Sequence, residues 1–498
     1  DLVVTTWGSG IHLMRNDGGF TFTEVTQAAG LTEFAATRGV SWADIDGDGW
    51  IDMFVCNYLN AIPNTANAKN RVWRNLGNGT FTDIAPQLGM DDTAYSFMTA
   101  IFDADLDGDL DIYLSNDRAM FAPFKPNRFF RNDGGVFTDV GPQNGTALTF
   151  FSMGIACGDL DGNGLPDLYC TNLPTATPPL MGENPLMLQH PNGMFTQEQV
   201  AWGVQLKKTS WACIFFDVDN DADTDLYVVN QLEGNALFQQ RARPPMVNIA
   251  VQANIAGPSG TVSMDYCASV ADVDGDGDLD VIQNNLASNV RLFINNDGAT
   301  RQWARFLVVG ERHDTRGLGT TVRVRTGEKW QLRQLMSGGN GYLSQNDGLL
   351  HFGLDAATVM DEIHVRWPYT GTARTLTNYP ARQRWRLLPP ARLGDSDNDG
   401  AVTQADLSAF ALRLSGPFTE GKEIFDFDGN GSLGAADIAA FNERFSGLRG
   451  DFDGNGVVEG PDLGALLQHW GAAPSAYDLN LDGKVDGADL GILLGNWE

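Results

Sequence analysis

Asp44, Asp46 and Asp48 place three carboxylates on alternate residues of the stretch DIDGDGWID, which closes at Asp52. If the chain curls there the three converge, and Gly49 permits the tight backbone that such a curl demands. Close carboxylates repel one another unless a cation lies between them. Oxygen-only ligands select a hard ion, calcium before magnesium, because calcium accepts about seven ligands in irregular geometry. One acidic turn of this kind is equally well a solvated loop, so the weight falls on repetition.

DADLDGDLD begins at Asp103, DLDGNGLPD at Asp159, DVDNDADTD at Asp217 and DVDGDGDLD at Asp272. The starts are separated by 59, 56, 58 and 55 residues, which is the signature of a structural repeat. The candidate ligands are Asp44, Asp46, Asp48 and Asp52; Asp103, Asp105, Asp107 and Asp111; Asp159, Asp161, Asn163 and Asp167. The last two copies supply Asp217, Asp219, Asp221 and Asp225, then Asp272, Asp274, Asp276 and Asp280. The seventh positions, Trp50, Asp109, Leu165, Asp223 and Asp278, complete the set. The fourth copy carries Ala222 where the others carry Gly49, Gly108, Gly164 and Gly277, and is expected to bind most weakly.

Each closing acid falls at position nine, three residues earlier than in a helical calcium hand. The segments after these acids are β-like (MFVCNY, IYLSN, LYCTN, LYVVN, VIQNN), and so are those before the loops, as in WACIFF before Asp217. A third strand, a tight Asn-Gly or Asp-Gly turn and a fourth strand complete each unit, as in NRVWRNLGNGTFTDI and NRFFRNDGGVFTDV. Four strands in about 57 residues predict a propeller blade with a calcium clip between its first two strands. The repeat resembles the FG-GAP or VCBS-like repeats of extracellular β-propellers over roughly residues 1–302. That resemblance implies six to seven blades, truncated at the N-terminus. Asp1, followed by LVVTT and IHLMRNDGGFTFTEV, corresponds to the ninth position of a further loop whose earlier residues, and any signal peptide, are expected upstream.

Residues 303–390 carry many Arg and alternate apolar with polar residues (TTVRVRTG, WQLRQLM), which predicts a small all-β domain. GLGTTVRV from Gly317, GGNGYLSQND from Gly338, LLHFGLD from Leu349 and IHVRWP from Ile363 closely resemble the ASPIC/UnbV domain. This domain follows FG-GAP-like repeats in the cartilage acidic protein family, and the resemblance implies calcium binding and extracellular interaction. His351, His364, Arg366 and Tyr342 are polar among apolar neighbours, but their spacing supports no catalytic cluster, and Ser344 lacks a GxSxG elbow.

Beyond Pro389-Pro390 the acidic loops return with a different ending. The candidate ligands are Asp395, Asp397, Asp399, Ala401 and Asp406; Asp426, Asp428, Asn430, Ser432 and Asp437; Asp451, Asp453, Asn455, Val457 and Asp462; Asp478, Asn480, Asp482, Lys484 and Asp489. Here the closing acid is at position twelve, position six is Gly, and helical periodicity begins at once, as in Leu463, Leu466, Leu467 and Trp470. Asp rather than Glu at twelve, followed by a Leu or Ile, resembles dockerin type I repeats. Residues 391–447 and 448–498 then read as two tandem pairs, and the resemblance implies a cohesin partner or a calcium-stiffened surface module.

With 63 acids against 33 bases the formal charge is −30, which argues against nucleic-acid binding. No apolar run is long enough to span a membrane. Five Cys at scattered spacings give neither a disulfide framework nor a zinc site. The function expected is that of a secreted or cell-surface protein binding up to about nine Ca2+, whose propeller engages a protein or glycan. The alternative is a polysaccharide lyase or glycoside hydrolase, or its carbohydrate-binding component; Glu183, Glu198 and Glu233 lie outside the metal loops but in no recognisable motif.

Overall fold

The computed structural model describes residues 1–498 apart from 7–9, 32–34, 59–68, 118–124, 175–181, 242–243, 258–263, 287–288, 299, 312 and 498. Strands dominate as far as Leu387, and the helices of more than one turn all lie beyond it.

Each acidic repeat folds as an antiparallel blade. In blade two an inner strand, Ala36–Ala43, leads through the loop 44–52 into Asp52–Tyr58, then Arg71–Asn75 and Phe81–Asp83. Blades three, four and five repeat the order, with inner strands Tyr95–Phe102, Ile155–Gly158 and Ser210–Phe216. Among the described residues blade six has three strands, from Asp265–Ala271 to Arg291–Phe293, and blade one has three, Leu2–Thr6, Gly10–Gly18 and Thr21–Glu24. The second strands are buried almost throughout, as in DMFVCNY and DLYVVN, because neighbouring blades cover both faces. One apolar cluster runs from Phe97 to Val281 through the inner strands of blades three to six. The five cysteines are free thiols, Cys157, Cys213 and Cys267 on inner strands and Cys56 and Cys170 on second strands.

Residues 302–387 form two sheets. Gln302–Val308 pairs with Leu350–Asp355 and, in parallel, with Gln383–Leu387. The second sheet runs Lys329–Gln334, Thr321–Thr326, Val359–Arg366, Ala373–Pro380. Their shared core contains Phe306, Phe352, Trp367 and Trp385. Four helices come next, Gln404–Arg413, Ala435–Arg444, Gly460–Gln468 and Gly487–Gly495, each entered from an acidic loop. A single apolar cluster, from Leu388 to Leu493, joins all four. It holds Phe410 stacked on Phe425 with ring centres 4.7 Å apart. Among the described residues no helix is long and apolar enough to cross a membrane.

The all-β region is not a bead beside the ring. Its glycine-rich segment enters the middle of the ring and touches the inner strand of five blades. Trp42 N–H donates to Ser337, Gly338 lies against Ser41 and Thr99, and Asn340–Gly341 pairs with Ile155–Ala156. Asn340 exchanges hydrogen bonds with the backbone of Phe215, and Asn346 accepts from Val270 N–H. A Cβ on Gly339 would come within 2.5 Å of the Ala100 side chain, so only glycine passes there.

Candidate metal sites

The nine acidic loops share one turn. Residues four and six have positive φ in every copy: Gly47 and Gly49, Leu106 and Gly108, Gly162 and Gly164, Asn220 and Ala222, Gly275 and Gly277 in the ring. The helical loops repeat this with Asn398 and Gly400, Gly429 and Gly431, Gly454 and Gly456, Leu481 and Gly483. In eight of the nine, one oxygen of the first Asp accepts from the N–H of residue six, at 2.8–3.1 Å. Ala222, at φ +71°, takes up the same conformation as the glycines and makes the same bond.

In each ring loop three of the carboxylates converge. Ligand oxygens of Asp44, Asp46 and Asp48 lie within 4.8 Å of one another, as do those of Asp103, Asp105 and Asp111, of Asp159, Asp161 and Asp167, of Asp217, Asp219 and Asp225, and of Asp272, Asp274 and Asp276. The donor chemistry suits a hard cation. The second oxygen of Asp44, Asp103 and Asp159 is buried without a hydrogen-bond partner, so each loop presents an acceptor that its own backbone leaves unused. Burial, reinforced by neighbouring carboxylates, pushes Asp44 and Asp159 up to about 6 and Asp103 and Asp217 up to about 7. Without a cation these groups resist ionising together. The seventh residues Trp50, Leu165, Ala401 and Val457 have only a backbone carbonyl to offer.

The closing acids are spent differently. Asp52, Asp111, Asp167, Asp225 and Asp280 each accept the N–H of the loop's second residue at 2.7–2.9 Å. Their other oxygen accepts the N–H of Asn75, Asn132, Gln189, Gln240 or Asn295, at the end of or just after the third strand, at 2.7–2.8 Å. Asp1 makes the equivalent bond to Asn16 N–H at 2.8 Å. The ninth residue thus staples the loop to the third strand. In the helical loops, Asp406, Asp437, Asp462 and Asp489 again accept the N–H of residue two, at 2.6–2.8 Å. Their second oxygen takes the N–H of the helix N-cap, three residues back, at 2.7–3.0 Å.

Loop five departs from the rest. Asp272 accepts Arg305 at 2.6 Å and Gly275 N–H at 2.7 Å, with no bond to Gly277. Arg305 comes from the all-β region, which lies across the loop face of the ring. Arg366 donates to the carbonyls of Leu106 and Asp107, Gln334 brackets the backbone of Asp103, and Lys329 pairs with Asp223 at 2.6 Å. Tyr369 accepts from Leu110 N–H at 3.2 Å, and Tyr379 donates to Asp426 of the second helical loop at 2.9 Å. That residues 303–390 carry many Arg was plain in the sequence; only the fold shows that several of these bases face the acid loops.

The other polar residues singled out in that region do not meet in one site. His351 Nε2 contacts Gly277 O at 3.1 Å, His364 contacts Glu362 at 2.9 Å, Ser344 donates to Ala268 O, and Tyr342 is buried in the ring. Glu183 accepts from Gln199 and Gln205, and Glu233 lies 3.7 Å from Lys208. Sequence reasoning missed a second periodic set, an Asn five residues after each closing acid. The backbone N–H groups of Asn57, Asn116 and Asn172 donate to the side chains of Asn70, Asn127 and Asn184, which stand just before the third strand. Asn70 and Asn184 pass the chain of bonds on to Ser96 and Ser210 of the following blade. The signal was present in CNY, SND, CTN, VVN and QNN.

Two family descriptions match parts of the chain. The family described as FG-GAP-like repeat matches residues 1–55, 103–170 and 217–283, and the family ASPIC and UnbV matches residues 310–393. Cartilage acidic protein 1 of Xenopus tropicalis is 24% identical over 362 residues, covering 69% of this chain and 53% of that protein. The Homo sapiens protein of the same name is 25% identical over 369 residues, 69% of this chain and 52% of its own length. The chain therefore spans about half the length of the curated relatives it matches. A solved exotype rhamnogalacturonan lyase, YesX, aligns over 69% of this chain and 72% of its own at 13% identity; its TM-score of 0.30 is too low to establish a common fold. Through these matches the chain is identified as one that joins FG-GAP-like repeats to an ASPIC and UnbV domain.

Proposed function

We propose that the protein is a calcium-binding protein of the cell exterior, whose ring and helical loops hold up to about nine Ca2+ and whose ring engages an extracellular protein or glycan. The observation that carries the calcium reading is the set of buried, unpartnered carboxylate oxygens of Asp44, Asp103 and Asp159, each inside a convergent acidic cluster. A cation satisfies those oxygens and offsets the burial, with the repulsion between neighbouring carboxylates, that pushes their pKa up. Bound at a hundred times its dissociation constant, an ion stabilises the native state by ~2.7 kcal/mol per site. Millimolar calcium, as found outside cells, saturates even weak sites of this kind. The test is calorimetry with and without chelator: a melting temperature lowered sharply by chelation supports the reading, and an unchanged curve overturns it.

The helical loops support an attachment role. Leu467 and Leu494 stand at matching positions of the last two helices, and Trp470 and Trp497 two residues beyond the ends of those helices; all four remain 42–52% exposed, while Leu466 and Leu493 fill the core. Two like apolar faces, unburied within the chain, suit a protein partner of the cohesin type. Pull-down by an immobilised cohesin, lost in Trp470→Ala with Trp497→Ala, is the expected result; no retention in calcium overturns it.

A further inference from the structure

At the end of the ring opposite the acid loops, inner strands begin and second strands end. Here the blades gather aromatic side chains around the inserted segment. Tyr58 comes from blade two, Phe97 from blade three, Trp211 from blade five and Tyr266 from blade six. Tyr342, carried in by the all-β domain, forms the floor: its ring lies 5.3 Å from Trp211 and 5.6 Å from Phe97. Trp211 and Tyr266 lie 4.5 Å apart, and both remain partly exposed, as does Tyr58.

Polar groups are set among the rings. Asp117 accepts the Tyr58 hydroxyl at 2.7 Å on one oxygen, and its other oxygen has no hydrogen-bond partner among the described residues. Gln231 accepts the Trp211 indole N–H at 3.0 Å and donates to the Tyr266 hydroxyl at 3.0 Å. The Arg38 guanidinium lies 5.0 Å from the centre of the Tyr58 ring.

We propose that this basin binds a pyranose ring of a glycan. A pyranose has a C–H face that lies against an aromatic ring and a rim of hydroxyls that must be hydrogen-bonded, and the basin offers both within one cluster. A purely apolar ligand would bury Asp117 without satisfying it. An inorganic anion would face Asp117, and nucleic acid would face a chain of net charge −30. Burial pushes Asp117 up to about 6, against the opposing Tyr58 hydrogen bond and Arg38 charge, so the acid set among these rings is itself perturbed. The acid loops cannot serve this role, because the ASPIC and UnbV domain covers their face of the ring.

The basin names a site and a ligand class for the binding role proposed above and rests on it. Calcium loss tests the loops and sugar binding tests the basin, so each can fail alone. The experiment is titration calorimetry and saturation-transfer NMR of the whole chain in calcium buffer with cellohexaose, chitohexaose and hexagalacturonate, which separates neutral, N-acetylated and uronic sugars. At least one binds, and Trp211→Ala and Tyr266→Ala each weaken it by about tenfold or more, whereas Trp470→Ala does not. Gln231→Ala, which removes no packing ring, weakens it too and guards against a folding defect; circular dichroism checks each variant. Absence of binding for all three sugars, or affinity unchanged in both Trp211→Ala and Gln231→Ala, overturns the proposal.

Discussion

The ring and the helical tail use the same first six residues and then part. In both, positive φ at positions four and six folds the first carboxylate back onto the N–H of residue six. In both, the closing acid holds the N–H of residue two. Only its second oxygen differs: Asp52 reaches Asn75, 23 residues on and in another strand, whereas Asp406 reaches Thr403 at the start of its own helix. The turn is therefore indifferent to whether a strand or a helix comes after it. Moving one acid by three residues converts a long-range staple into a local helix cap.

The largest expected effect is that of chelation. Removal of calcium is expected to lower the melting temperature of ring and tail together, and Asp48→Ala, which touches one loop, lowers it less. Scanning calorimetry reads both.

Next comes the closing acid itself. Asp52 is fully buried and bridges two segments, so Asp52→Ala strands one buried and one part-buried backbone donor and costs about 2–4 kcal/mol. Asp406→Ala disrupts a capping box and costs about 0.5–2 kcal/mol. Urea unfolding of the two variants in calcium breaks the comparison if Asp406→Ala is the more damaging.

The pH dependence sharpens it. Burial pushes Asp44 and Asp159 up to about 6 and Asp52, Asp103 and Asp217 up to about 7, from 3.8. The metal-stripped folded chain thus holds protons that the unfolded chain has released. Its stability from these groups is fully present below pH 3.8 and is lost as pH rises through 6 to 7. Metal-stripped protein should unfold at lower urea at pH 7.5 than at pH 5, while the gain on adding calcium is larger at pH 7.5, where the ion displaces fewer protons.

The smallest effect concerns two strained positions. Ala222 at φ +71° and Leu106 at φ +61° hold conformations that favour glycine. Ala222→Gly and Leu106→Gly should each raise stability by about 0.5–1 kcal/mol in calcium. A loss in both would show that their side chains matter more than the backbone.

Loop positions and blade strands were legible because they are written locally: acids at fixed spacing, then an apolar run. Leu106 was not, since nothing about a leucine announces a left-handed residue; it takes that conformation because it fills the place of Gly47 and Gly162. The insertion at Gly338 was illegible for another reason, because its partners Ser41 and Thr99 lie more than two hundred residues away. Arg305 read as one base among many, and only the meeting of two domains makes it the partner of Asp272. The aromatic basin likewise needs four blades and an inserted tyrosine to come into being.

The most direct measurement is the number of calcium ions bound per chain, by equilibrium dialysis and atomic emission in millimolar calcium. About nine per chain are expected, one for each shared turn, and one fewer in Asp44→Asn with Asp48→Asn. A chain that binds none, or a count that the double variant leaves unchanged, contradicts the account.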